Sequence, residues 1–283
     1  MRIVKKKKGK KEYFYLRYSF RKKGRVVTRE KYLGSEIPSN IEEMKAVLLR
    51  ESKKELNDKL ERIKKNFQEE WKRLPASAKK REMEEIAIAF TYNTNAIEGS
   101  TITLEEVREI VKEDISPNKP LRDVGETESH NKVFLKMFNN KEKISKSAML
   151  MWHKNIFGGT KEDIAGNYRD YSVRVENYVA LDWQDIDKTM QKLVRYISSA
   201  KINSVELSAR AHYRFEKIHP FGDGNGRIGR LLMNHVLWWA GYPMLIIEYK
   251  KRKPYYKALK KDEEGFVNYF IRRYLAFHGG RAK

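Results

Sequence analysis

Twelve consecutive residues constrain this chain more than any other feature: His219 to Arg230 read His-Pro-Phe-Gly-Asp-Gly-Asn-Gly-Arg-Ile-Gly-Arg. The first half is a glycine-rich turn. The residues that follow, Arg227 to Ala240, carry a helical pattern that stops at Gly241, with Pro243 just beyond. A turn that feeds a helix N-terminus points backbone N–H groups and a partial positive charge at one spot, where anionic oxygens bind. Gly224 and Gly226 let the main chain approach a diphosphate with no Cβ in the way. Arg227 and Arg230 are three apart, on one face of the first helical turn. The segment reads as phosphate chemistry.

Two familiar phosphate-binding patterns fail here. Gly224, Gly226 and Gly229 satisfy G-x-G-x-x-G, and Glu248 lies at about the right distance for a ribose-binding acid, but that reading needs a strand before the glycines and a βαβ unit around them. Ala209 to Lys217 is instead a charged helical pattern. A Walker A loop fails because no Gly-Lys-[Ser/Thr] follows the glycines.

The 283 residues are enough for one main domain with an appendage. The charged N-terminus never reaches a long apolar stretch, so no signal peptide is expected. The most apolar run, Val236 to Ile247, is short and broken by Gly241 and Pro243; no membrane span is expected, and the expected compartment is the cytoplasm. With no cysteine, the sequence has no disulfide, thiolate metal site or cysteine nucleophile.

The formal net charge of +22 is unevenly placed: residues 1–36 hold fourteen Lys or Arg against three Glu, a net of +11. Glu12 to Phe20 and Arg25 to Leu33 read as strands about a turn at Arg21-Lys22-Lys23-Gly24, so residues 1–37 form a basic β-hairpin arm. Residues 38–283 read as helical over Ile41–Leu74, Ala76–Ile97, Leu104–Glu113, Thr127–Phe138, Lys146–Phe157, Trp183–Ser199, Val205–Lys217 and Phe266–Phe277. Only Arg169 to Ala180 in this body reads as extended. The fold class is mainly α with one internal hairpin.

His219 to Arg230 resembles the signature of Fic-domain proteins, H-P-F-x-[D/E]-G-N-G-R-x-x-R, at every specified position. Gly166 to Arg169 with Val173 to Val175 resembles the family's flap, and Arg252 to Leu259 resembles its segment after the motif helix; the resemblance covers roughly residues 80–275. Thr94-Asn95-Ala96-Ile97-Glu98-Gly99 resembles the family's inhibitory motif, [S/T]-x-x-x-E-[G/N]. Its place before the signature, in a helix over about residues 80–99, resembles the class whose inhibitory helix is built into the N-terminal part.

The resemblance implies a Fic-type helical bundle with a β-hairpin flap, and an enzyme that transfers AMP from ATP to a Ser, Thr or Tyr hydroxyl of a protein, itself among the candidate targets. It implies His219 as general base, since imidazole titrates near neutrality, and Asp223 as a ligand of Mg²⁺. Asn225 and the amides at Gly224 and Gly226 would position the α-phosphate, Arg227 the β-phosphate and Arg230 the γ-phosphate. Glu98, with Thr94 and Gly99 framing it, would restrain the enzyme by pairing with Arg230. Val173, Arg174 and Val175 would edge a flap that holds a target by strand addition, against the plainer reading of a connecting hairpin. Other donors (phosphate, UMP, phosphocholine) and removal of AMP stay open in this family.

Phe221 reads as a core anchor of the loop and His212 as a structural histidine. Tyr255 and Tyr256 either border the nucleotide or pack on a helix. His130, His153, His235 and His278 lack metal-ligand spacing. DNA or RNA is the partner class for residues 1–36, against a solvated basic strand pair, and a homodimer stays open.

Overall fold

The computed structural model describes residues 1–9, 11–22, 25–140, 142–175 and 178–282. It divides into two compact units, Met1–Arg62 with Ala282, and Ile63–Arg281.

The first unit holds three antiparallel strands in the order β1 (Arg2–Lys8), β2 (Lys11–Lys22) and β3 (Arg25–Gly34). The expected hairpin is thus the β2–β3 half of a three-stranded sheet. The Lys5–Lys8 run is a strand despite lysine's poor strand preference, because it pairs with aromatic positions of β2, Lys5 opposite Phe14 and Lys6 opposite Tyr13. The expected turn partly lies outside the described residues, at Lys23 and Gly24. Helix α1 (Ile41–Arg73) begins in this unit and ends in the second; Glu42 and Glu43 in its first turn and Lys72 and Arg73 in its last match the helix dipole.

The second unit is helical. Pro75 precedes α2 (Ala76–Ile97), and α3 (Leu104–Lys112) opens on a capping box between Thr103 and Glu106. Then follow α4 (Leu121–Asn139), which begins six residues before the sequence pattern, and α5 (Lys146–Phe157), capped by Ser145. The segment expected to be extended keeps only a short ladder, β4 (Arg174–Val175) with β5 (Tyr178–Val179). A 3₁₀ turn at Trp183–Asp185 leads into α6 (Ile186–Ser199). Next come α7 (Ser204–Ile218), α8 (Asn225–Trp239), α9 (Arg252–Leu259) and α10 (Glu263–His278).

Helix α8 is buried along most of its length, and Ile228, Leu231, Leu232 and Val236 pack in one core with Phe134, Phe157, Phe215 and Phe221. Because α7 and α8 are joined only by residues 219–224, the core holds both ends of the turn between them. No helix among the described residues is long and apolar enough to cross a membrane.

Candidate active site

The turn between α7 and α8 is fixed from several sides. His219 ends α7 in the left-handed region, with φ 51° and ψ 61°, a conformation that costs a non-glycine residue about 1 kcal/mol or more. Arg169 holds it there: its Nε donates to the His219 carbonyl at 2.9 Å, and its own N–H donates to the Pro220 carbonyl at 3.0 Å. Phe221 is fully buried and stacks on His153 with ring centroids 3.9 Å apart. His153 accepts from the Gly166 N–H at Nδ1, which leaves Nε2 to donate to the Asp223 carbonyl at 3.0 Å. Gly224 is required twice over, since its φ is 77° and a Cβ there would lie 2.5 Å from Cζ of Phe157. The Asn225 amide accepts from the Phe221 N–H at 2.9 Å and donates to the Phe221 carbonyl at 2.8 Å. Its side chain thus closes the turn, and the anion-binding groups left at this point are the backbone N–H groups of the first turn of α8.

Both arginines are buried and paired. Arg227 is ion-paired with Glu126 of α4 and lies over the Phe157 ring, 4.4 Å from its centroid. Glu126 also receives Lys161 Nζ and Arg122 Nε at 3.1 Å each. Burial alone would raise the Glu126 pKa, but Arg227 and Lys161 outweigh it and hold the group at about 2. Lys161 reaches on to Asp223 at 2.5 Å, and the other Asp223 oxygen accepts from the Gly224 N–H at 2.6 Å. Burial works against the Asp223 carboxylate too, yet Lys161 and the Gly224 amide keep its pKa below the ordinary value. The half-exposed Asp223 carboxylate is a hard oxygen donor beside the anion-binding turn, which suits Mg²⁺ shared with phosphate oxygens. No cluster of three or more potential metal ligands exists among the described residues.

Arg230 donates from Nε to Thr94 Oγ1 at 2.6 Å, from Nη2 to the Thr94 carbonyl at 3.2 Å, and from Nη2 to Glu98 Oε1 at 2.6 Å. Glu98 caps the end of α2, where Gly99 turns the chain with φ 97°. The Glu98 carboxylate sits against Gly226, where even a Cβ would collide with it. An internal carboxylate therefore lies on the anion-binding end of α8.

A cavity of about 630 Å³ opens here, lined by Glu98, His219, Gly226 and Arg230 at one end and by Val175, Tyr255, Tyr256 and Leu259 elsewhere. His219 Nδ1 is buried, which leaves Nε2 as the ring nitrogen a substrate could reach. Burial lowers the His219 pKa, a shift the Glu216 carbonyl only partly offsets, and the ring is neutral at pH 7. Val175 brings the β4 end of the flap to the cavity. Arg169 ties both flanks of that hairpin to the turn between α7 and α8, donating to the Tyr171 carbonyl at 2.6 Å and the Leu181 carbonyl at 2.5 Å. Beyond Val175 the flap tip lies outside the described residues.

Other expectations resolve by contact. His212 is fully buried and bonded to the Tyr255 hydroxyl at 2.8 Å, a structural role. Tyr255 is buried on α9, while Tyr256 reaches the Ile97 carbonyl at 3.3 Å; both also line the cavity. Sequence reasoning missed Glu126, Lys161, His153 and Phe157, which come from α4, α5 and the following loop. It also missed Glu216, whose buried carboxyl lines the cavity with a pKa raised by burial to about 7.

A neutral imidazole, a helix N-terminus and two buried arginines meet at one end of α8, an arrangement that could receive phosphate oxygens. A Fic domain-containing signaling protein from Bacteroides thetaiotaomicron matches with a TM-score of 0.66 at 27% identity, covering 78% of this chain and 96% of that one. Fic-1 from C. elegans matches with a TM-score of 0.68 at 28% identity, covering 86% of this chain and 77% of that one. Residues 143–237 match the Fic/DOC family model, and the chain is a Fic/DOC family protein. It is homologous to the protein adenylyltransferase Fic of Nematostella vectensis, 33% identical over 201 residues that make up 68% of this chain and 47% of the relative. The chain thus spans about half the length of that relative.

Proposed function

We propose that this chain is a protein adenylyltransferase that transfers AMP from ATP to a Ser, Thr or Tyr hydroxyl, and that Glu98 restrains it. The observation that carries the reading is the pair of charged contacts around α8: two buried arginines beside one anion-binding turn, one of them held by a carboxylate from α2 at 2.6 Å.

The nucleotide's phosphates lie against the first turn of α8, with the planar donor forks of Arg227 and Arg230 on the β- and γ-phosphates. The target hydroxyl attacks the α-phosphorus, the bond to the β-phosphate oxygen breaks, and pyrophosphate leaves. The hydroxyl proton passes to neutral His219, whose loss costs roughly 10²–10⁴ in rate. Asp223 would hold Mg²⁺, which would supply neutralisation of charge on the phosphate oxygens. The flap edge at Val173, Arg174 and Val175 holds the target segment beside His219 by strand addition.

With Glu98 on Arg230, the γ-phosphate has no free guanidinium and meets a negative charge instead, so the resting enzyme is slow. The family match begins at residue 143, after α2, so the restraint rests on the contacts of Glu98.

Incubating the Glu98→Gly protein with Mg²⁺ and ATP labelled at either the α- or the γ-phosphate tests the reading. Label from the α-phosphate enters protein, label from the γ-phosphate does not, and His219→Ala abolishes the signal. Incorporation from the γ-phosphate alone, or none from either, refutes it.

A further inference from the structure

The three-stranded sheet has two unlike faces. Strand register puts Leu16, fully buried, on one face together with half-buried Phe14 and Tyr18. The opposite face carries Arg2, Lys6 and Lys8 of β1, Lys11 and Arg17 of β2, and three tyrosines in contact. Tyr32 lies 6.0 Å from Tyr13 and 5.3 Å from Tyr15, centroid to centroid. The one acid on this face among the described residues is Glu30, and Lys6 at 2.5 Å and Arg17 at 2.7 Å already pair with it. Residues 1–36 carry a net +11.

We propose that this open face docks a nucleic-acid duplex through its phosphates. Charge complementarity names the partner: on β1, Lys6 and Lys8 are about 7 Å apart and Arg2 lies about 13 Å from Lys6, and the strands stand about 5 Å from one another. Three strands thus span about 10 Å, comparable with a major groove about 12 Å wide. The tyrosines do not form a row of platforms for a single strand. They pack on one another, and Lys6 Nζ sits 4.9 Å from the Tyr15 ring centroid. Tyr32, 55% exposed, offers one ring, whereas single-strand binding stacks successive bases on successive rings.

Five cations on the face predict a slope of log affinity against log salt of about −4.5, or a loss of about 500-fold between about 50 and about 200 mM salt. Fluorescence anisotropy of the full chain with a labelled DNA duplex measures it. The triple variant Arg2→Gln, Lys8→Gln, Lys11→Gln should flatten the slope to about −2. The charge-matched variant Lys5→Gln, Lys7→Gln, Lys31→Gln, on the opposite face, should keep most of it. Circular dichroism checks both variants, and Lys8→Gln alone should lower the slope by about 0.9 if the triple fails to fold. Equal losses from the two faces, tighter binding to a single strand of the same sequence, or no duplex binding at the lower salt would overturn the proposal.

Discussion

Replacing Glu98 by alanine should speed the enzyme and weaken its resting fold together. Two unit charges about 4 Å apart attract by about 4 kcal/mol at an effective dielectric near 20. The Glu98 side chain is 30% exposed against 2% for Arg230, and that solvent access reduces the pair to about 2–3 kcal/mol. At about 1.4 kcal/mol per factor of ten, relief of the competition raises transfer by about 30- to 150-fold. The same change strands a buried guanidinium whose remaining neighbours include Thr94 and Tyr255 but no paired carboxylate, a loss of about 3 kcal/mol. For a domain of this size that lowers Tm by about 6–12 °C. ATP supplies a new anion to Arg230, and saturation at about 100 times Kd restores about 2.7 kcal/mol. Alanine rather than glycine keeps backbone entropy out of the comparison. Differential scanning fluorimetry with and without Mg²⁺ and ATP, beside an α-label transfer assay, reads both effects. A variant no faster than wild type, or one whose Tm is unchanged without nucleotide, refutes the restraint.

Four further outcomes follow from the same contacts. Gly226→Ala drives a Cβ into the Glu98 carboxylate, so its loss of apo stability should not add to that of Glu98→Ala; full additivity in the double variant contradicts the contact. Arg169→Met removes the donor to three carbonyls around His219 and the flap and should cut kcat at least tenfold with little change in KM for ATP; an unchanged kcat speaks against positioning. Transfer by Glu98→Ala should fall on the acid side with a midpoint below about 6.5, because burial lowers the His219 pKa, and a midpoint above that value would mean His219 is not the base. Stability should also fall in acid. Burial holds His130 and His212 at about 3, and His153, His235 and His278 at about 4, whereas unfolded histidines titrate near 6.5. The unfolded chain therefore binds more protons from about pH 6.5 down to about 4, and stability drops as pH falls through that window. Glu216, raised to about 7, acts in the opposite sense, but five groups outweigh one; a Tm that is flat or rises from pH 7 to 5 in thermal melts contradicts this burial pattern.

What the sequence made legible was contiguous. The turn from His219 to Arg230 carries its geometry in its own glycines, and α2 announces its end at Glu98 through the helical pattern before Gly99. What it hid depends on distant partners. Glu126 and Lys161 are ordinary surface types in sequence, and only the packing of α4 and the loop after α5 against α8 makes them neighbours of Arg227 and Asp223. His153 has no ligand spacing, yet stacking on Phe221 and bonding to the Asp223 carbonyl make it a brace of the turn. Asn225 could be placed at the phosphate site but not oriented, since its amide bonds back to Phe221. β1 escaped because a lysine run has no alternating apolar signal, and its strand state comes from pairing with β2, where Tyr13, Phe14 and Tyr15 stand opposite it.

Intact-protein and peptide mass spectrometry after incubation with Mg²⁺ and ATP distinguishes restrained AMP transfer from any other activity, using wild type, Glu98→Gly and the double variant Glu98→Gly, His219→Ala. The mass of one AMP moiety is expected on a Ser, Thr or Tyr of a target, or of the enzyme itself, abundant with Glu98→Gly, scarce with wild type and absent with the double variant. Equal labelling by all three proteins, or a modification with the mass of phosphate alone, would contradict it.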